Sequence, residues 1–323
     1  MQHTVPNTRL QDLLAGDRRT LAKAITLIES KKSDDQTAAQ QLLEAALPHS
    51  GNSVRIGITG SPGVGKSTFI EAFGLHLIAA GKKVAVLAVD PSSPVAGGSI
   101  LGDKTRMLDL SRHADAFIRP SPAGNTLGGV AQKTRETKLL CEAAGYDIIL
   151  VETVGVGQSE YQVAQMVDFF LVLMLPSAGD ELQGIKKGIM ELADALVINK
   201  ADGESLHQAV KTQGHYQNAV HLFSHDATWT PPVLTCSALE GTGIADIWQT
   251  MTEYETQSIE SGAKIKKRAH QNLAWMNALV HEMFESKLDN NIEVKQVKNK
   301  LEARVENGEV SPFAAAQEIM SKL

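Results

Sequence analysis

The run Gly60-Ser61-Pro62-Gly63-Val64-Gly65-Lys66-Ser67-Thr68 has the residue types and spacing to hold a polyphosphate. It fits G-x-x-x-x-G-K-[ST], the phosphate-binding loop of nucleotide hydrolases. Gly60 and Gly65 let backbone N–H groups approach the phosphates where a Cβ would obstruct them. The Lys66 amine then reaches the β- and γ-phosphates, and the Ser67 hydroxyl ligates Mg²⁺. Val54 to Thr59 upstream reads as a strand and Phe69 to Ala80 downstream as a helix. That arrangement puts the loop at a helix N-terminus, where the dipole favours negative charge.

A second cluster speaks to the base. Asn199-Lys200-Ala201-Asp202 matches N-K-x-D at the end of an apolar run. An Asp there accepts hydrogen bonds from guanine N1–H and the 2-amino group, the Lys stem covers the base, and the Asn ties the loop together. Adenine would leave the carboxylate unpaired, and a site built on such a bond discriminates by roughly 10⁴-fold. Ser237-Ala238-Leu239, after another apolar run, resembles the S-A-[LK] loop that completes a guanine pocket.

A third cluster concerns the metal. Glu152-Thr153-Val154-Gly155 stands where D-x-x-G is expected. Its carboxylate would bind Mg²⁺ through water, and the Gly155 N–H would sense the γ-phosphate. Glu in place of Asp reaches one methylene further. Val156 stands where Ras-like enzymes carry their water-orienting glutamine, and Gln158 is not assigned that role. Asp90 and Asp103 are the other carboxylates whose motif order brings them toward Mg²⁺ or the attacking water; an ordinary loop acid is the alternative for Asp103.

Positioning these clusters needs an α/β architecture. Apolar β-rich runs at 54–59, 84–89, 147–151, 169–175, 195–198 and 233–236 alternate with helical stretches. Runs apolar on both faces suit a buried, mostly parallel sheet flanked by helices, with ligands at the carboxyl ends of its strands. Residues 51–255 are expected to form this P-loop GTPase domain. Residues 1–50 read as a helical extension, with Asp17 capping a helix that buries Leu21, Ala24, Ile25 and Ile28, and Asp34 capping one that buries Ala39, Leu42, Leu43 and Ala46. Residues 91–106 and 120–135, rich in Pro, Gly, Ser and Thr, read as loops. The basic stretch Ser261 to Arg268 reads as a linker or a solvated helix start within a C-terminal helical region, 256–323. There Trp275, Met276, Leu279, Val280, Met283 and Phe284 share a face that is either local core or a dimer surface. Val294, Val297, Leu301 and Val305 share another, closed by Gly308, and Ser311-Pro312 starts a last helix.

Composition narrows the class. The 323 residues are 43% hydrophobic and 21% charged, ordinary for a globular protein. A net charge of −6 argues against a nucleic-acid surface. Cys141 and Cys236 have neither metal-ligand spacing nor a disulfide framework, which suits a reducing cytosol. Met1 to Leu10 lacks the apolar core of a signal peptide, and Phe169 to Leu175 is too short to span a membrane. A cytoplasmic protein is the expectation.

The motif set resembles the methylmalonyl-CoA mutase-associated GTPases, within the metallochaperone-like P-loop GTPases that include nickel-insertion proteins. Carrying the resemblance are Gly60 to Thr68, Val89 to Pro94, Gly98 to Met107, Val151 to Glu160, Asp180 to Gly188 and Asn199 to Asp202. D-P-S-S-P and G-S-I-L-G-D-K-T-R-M are the most specific stretches. The resemblance implies a homodimeric GTPase that binds an adenosylcobalamin-dependent acyl-CoA mutase, gates loading of its cofactor, and protects or reactivates it. It implies phosphate, metal and catalytic roles for Lys66, Ser67, Asp90, Asp103 and Glu152. Asp180, Gln183, Lys186 and Lys187 would form a switch that reports the nucleotide state to the mutase; their sequence alone reads as a helix start. Two other classes stay open: a metal-delivery GTPase for a nickel enzyme, for which His215, His221 and His225 in an expected loop lack a cysteine partner, and a transport-linked ATPase or kinase, against which the N-K-x-D match argues.

Overall fold

The computed structural model describes residues 7–89, 107–120, 127–153, 159–176, 187–223 and 229–322. It divides into two compact units, Met1–Ile265 and Lys266–Leu323.

The larger unit is built on one seven-stranded sheet in the order β3-β2-β4-β1-β5-β6-β7. The strands are β1 (Val54–Gly60), β2 (Val84–Val89), β3 (Ala116–Arg119), β4 (Ile148–Thr153), β5 (Phe169–Met174), β6 (Ala195–Ile198) and β7 (Val233–Thr235). Every pairing is parallel. The central strands are buried along their lengths, which is why they read as continuous apolar runs rather than alternating ones. Sequence reading missed β3. It is a four-residue edge strand, Ala-Phe-Ile-Arg, whose second half is only half-buried, too short for a pattern to stand out. β4 also runs further than expected: Glu152 pairs with Ile58 and Ala88 inside the sheet.

Helices cover both faces. In chain order they are α1 (Asn7–Leu14), α2 (Arg18–Glu29), α3 (Ser33–Ala46), α4 (Lys66–Ala79), α5 (Leu108–Arg112), α6 (Leu127–Ala143), α7 (Ser159–Ala164), α8 (Lys187–Leu192), α9 (Leu206–Phe223) and α10 (Ile244–Glu260). One core joins Ile56, Ile58, Leu150 and Leu171 of the sheet to Phe69, Ile70 and Phe73 of α4 and Ile247 and Met251 of α10. The other joins Val151, Phe170 and Ile198 to Leu140 of α6, Val163 of α7 and Tyr216 of α9. The N-terminal helices continue this second core: α2 and α3 pack on each other and on α6, burying Leu21, Ile25 and Ile28.

Asp17 caps α2 as expected, accepting from the Thr20 N–H at 2.6 Å. Asp34 does not cap α3. The helix begins at Ser33 after Lys32, so Asp34 lies inside the first turn, where its charge faces the helix dipole instead. The expected loop over 120–135 is also corrected. Residues 127–135 open α6, because Val130 and Ala131 supply a buried helical face that outweighs the local Gly content. His215 lies in α9 rather than in a loop, the backbone of His221 is helical, and His225 lies outside the described residues. The loop expected at 91–106 lies outside them too.

The second unit holds most of α11 (Ala263–Asn290), with α12 (Ile292–Glu306) and α13 (Pro312–Met320). α11 buries none of its side chains, and Met276, Val280, Met283 and Phe284 are exposed. Val294 and Leu301 of α12 and Ala315 of α13 are buried. Gly308, at φ 72°, closes α12, and the Ser311 hydroxyl caps α13 by accepting from Ala314 N–H at 3.2 Å, with Pro312 following.

Candidate nucleotide-binding site

β1 is central in the sheet, and the loop after it turns directly into α4. Val64 is fully buried and pins the loop to the α4-side core, while Pro62, Gly63 and Thr68 are exposed and Ser61, Gly65, Lys66 and Ser67 are half-buried. The buried Val64 side chain thus gives the loop a fixed base, and its flanking residues stay open to solvent. Gly65 has φ 92°, and a Cβ there would lie 2.9 Å from the Asn199 carboxamide, so glycine is required on both conformational and steric grounds.

Asn199 is the link between the two halves of the site. Its Nδ2 donates to the Val64 carbonyl at 2.8 Å. Its Oδ1 accepts from Ala238 N–H at 3.1 Å and from the Cys236 thiol at 3.4 Å. The side chain is 1% exposed, so these bonds are shielded from water. Burial and the nearby Asp202 carboxylate push the Cys236 thiol up to about 12, which keeps it a neutral donor. Ser237 is fully buried; its hydroxyl donates to the Asp202 carboxylate and accepts from Glu240 N–H at 3.1 Å. Asp202 is thereby held in one orientation by a residue 35 positions away. Lys200 carries φ 61° without being glycine, and Gly65 lies beneath its stem. Such backbone strain persists only where neighbouring contacts hold it, here the Ala201 N–H to Cys236 carbonyl bond of 2.9 Å. Leu239, next in the chain after Ala238, is 81% exposed.

On the phosphate side, the Lys66 amine donates to the Gly60 carbonyl at 2.6 Å. Burial pulls its pKa below the ordinary lysine value, and Glu152 and then Glu160 oppose that pull. Glu152 is 4% exposed at the end of β4, and Glu160, in the first turn of α7, is 1% exposed. Ser67 and Glu152 offer the hard oxygen donors that suit a small divalent cation, and a phosphate would supply the remaining ones. Glu160 had escaped the sequence reading as a site residue. Only its place just after the glycine-rich Val154 to Gly157 segment could have drawn notice. Asp90, Asp103, Gly155, Asp180, Gln183 and Lys186 lie outside the described residues, and Lys187 begins α8.

With this geometry in view, a sequence model of the family described as methylmalonyl Co-A mutase-associated GTPase MeaB matches residues 21–293. The chain belongs to this GTPase family. GTPase ArgK of Escherichia coli is 48% identical over 311 residues, spanning 96% of this chain and 94% of that one. The mouse protein named methylmalonic aciduria type A homolog, mitochondrial, is 46% identical over 315 residues, 94% of this chain and 76% of that one. A crystal structure of a LAO/AO transport system kinase has a TM-score of 0.77 at 42% identity, covering 97% of this chain and 96% of that one. As a member of the MeaB GTPase family the chain is a P-loop GTP hydrolase. Among the described residues no helix is long and apolar enough to cross a membrane.

Proposed function

We propose that this GTPase serves as a chaperone and gate for an adenosylcobalamin-dependent methylmalonyl-CoA mutase, governing loading of the cofactor and protecting or reactivating the enzyme. The single observation behind this reading is membership of the mutase-associated family across residues 21–293. In this reading Gly60 to Thr68 cradle the phosphates, and Asn199, Lys200, Asp202 and Ser237 to Leu239 receive guanine. Ser67, Glu152, Asp90 and Asp103 would hold Mg²⁺, which would supply neutralisation of the phosphate charge. The chain's own contribution is positioning: Lys66 meets the phosphates, and Glu152 orients water at the metal side. Asp180, Gln183, Lys186 and Lys187 report the bound nucleotide to the mutase, in the cytoplasm. The exposed apolar stripe Met276, Val280, Met283 and Phe284 on α11 supports a homodimer in which two copies cover it.

The test is to mix the purified protein with a purified mutase and follow phosphate release. GTP turnover rises on addition of the mutase, and the two proteins co-elute. Failure to associate in any nucleotide state overturns the reading. Metal delivery to a nickel enzyme would instead require tight, stoichiometric Ni²⁺ binding in equilibrium dialysis. A transport-linked ATPase or kinase would require ATP to compete with GTP.

A further inference from the structure

α5 starts without a cap of its own. Its N-cap position is Met107, whose side chain makes no capping hydrogen bond. A polar N-cap residue ordinarily serves the second and third backbone N–H groups of a helix, here those of Asp109 and Leu110. α4 serves them instead. One oxygen of the Glu71 carboxylate, Oε1, accepts from Asp109 N–H at 2.8 Å and from Leu110 N–H at 3.4 Å. The cap thus comes from 38 residues away in the chain.

Nearly one turn further along α4, Gly74 lets α5 come close. A Cβ there would lie 2.7 and 2.9 Å from the two Leu110 methyl carbons. Met107 and Leu110 are both 0% exposed, and they share a core with Ile70, Phe73 and Leu77 of α4. Ser67, Glu71 and Gly74 are spaced i, i+4 and i+7, so they lie on one face of α4. The face that begins with the serine of the phosphate loop is therefore the face that receives α5. Asp103 stands four positions before Met107, a reach of about 14 Å at full extension. The anchor at Met107 sets the radius within which the chain can carry Asp103.

We propose that Glu71 and Gly74 are positioning residues for GTP hydrolysis. They moor α5 on the Ser67 face of α4 and so fix the end of the chain that carries Asp103. The proposal rests on the reading of Asp103 as a group that acts on the metal or the attacking water. In that reading nucleotide affinity resides in the phosphate loop and the N-K-x-D loop, so the mooring acts on the chemical step and not on binding.

The test compares the parent with Glu71→Ala, Glu71→Gln, Gly74→Ala, Asp103→Asn and the double variant Glu71→Ala/Asp103→Asn. Each is measured for kcat with GTP, for affinity toward a fluorescent GDP analogue, and for its urea midpoint. Glu71→Ala loses about tenfold in kcat while GDP affinity stays within about twofold of the parent. Glu71→Gln keeps an oxygen that can accept from the same two N–H groups, and its kcat stays within about threefold. Gly74→Ala displaces Leu110 and lowers kcat by about tenfold, again with GDP affinity kept. In the Asp103→Asn background Glu71→Ala causes no further loss, because both changes act on one group. A Glu71→Ala protein that shifts only the urea midpoint, or whose loss in kcat multiplies with that of Asp103→Asn, overturns the proposal. An Asp103→Asn protein with the parent's kcat overturns the reading of Asp103 beneath it. A slow Asp103→Asn beside a Glu71→Ala with the parent's kcat overturns this proposal alone.

Discussion

The Asn199 carboxamide donates to the Val64 carbonyl at 2.8 Å across 135 residues of chain. That bond joins the loop after β1 to the loop after β6, two strand ends separated by β5. With its acceptor side on Ala238 N–H, Asn199 ties three loops to one another.

Replacing Asn199 by Ala strands the Val64 carbonyl and the Ala238 N–H in a buried setting. Each unsatisfied group costs about 1–3 kcal/mol, so the variant loses about 2 kcal/mol or more of stability in denaturant titration. Affinity for GTP and for GDP falls in parallel in a fluorescent-nucleotide titration, because both need the loops in register. Loss of GTP affinity alone would place the defect at the γ-phosphate instead.

Asp202→Asn exchanges an acceptor for a donor at the base. GTP binding weakens by about 100-fold or more, and xanthosine triphosphate, whose 2-oxo group accepts a hydrogen bond, becomes the better ligand. Competition between the two nucleotides reads the outcome. Equal affinities in variant and parent would remove Asp202 from the base site.

Lys66→Ala abolishes GTP hydrolysis and leaves a folded protein. The side chain is half-buried and its amine makes a hydrogen bond to Gly60, so thermal stability changes by no more than about 1 kcal/mol. Phosphate release and thermal unfolding, measured on the same preparation, separate the two effects.

A pH effect arises far from the strand ends that carry the site. Lys138 of α6 is fully buried, and its amine donates to the Met166 carbonyl at 2.9 Å. Burial, with Arg55 and Arg135 nearby, lowers its pKa to about 7 against the partial opposition of Glu142 and Asp168. Between about 7 and the ordinary lysine value of 10.5 the unfolded chain therefore binds the extra proton, and this residue's contribution to stability rises with pH across that window. Lys138→Met removes the dependence. Its stability relative to the parent is highest below pH 7 and declines by about 1 kcal/mol or more toward pH 10, as read by urea midpoints at each pH.

Much of the fold was legible because parallel strands buried on both faces announce themselves as apolar runs. β1, β2, β4, β5, β6 and β7 were found that way, with ends differing by a few residues. The phosphate loop and N-K-x-D were legible because each concentrates its chemistry in a few consecutive residues. β3 and the first turns of α6 were not. A four-residue edge strand has no period to detect, and the glycines beside Leu127 mask a helix that tertiary burial of Val130 and Ala131 stabilises.

By itself the sequence determined the α/β class and displayed the G-x-x-x-x-G-K-[ST] and N-K-x-D matches, since these depend on local spacing and on apolar periodicity. Only the tertiary structure decided which distant groups meet: Asn199 with Val64, Ser237 with Asp202, and Thr59 with Thr153. The strand order alone brings the ends of β1, β4 and β6 to one edge, and hydrogen bonds between residues far apart in sequence leave no periodic trace along the chain.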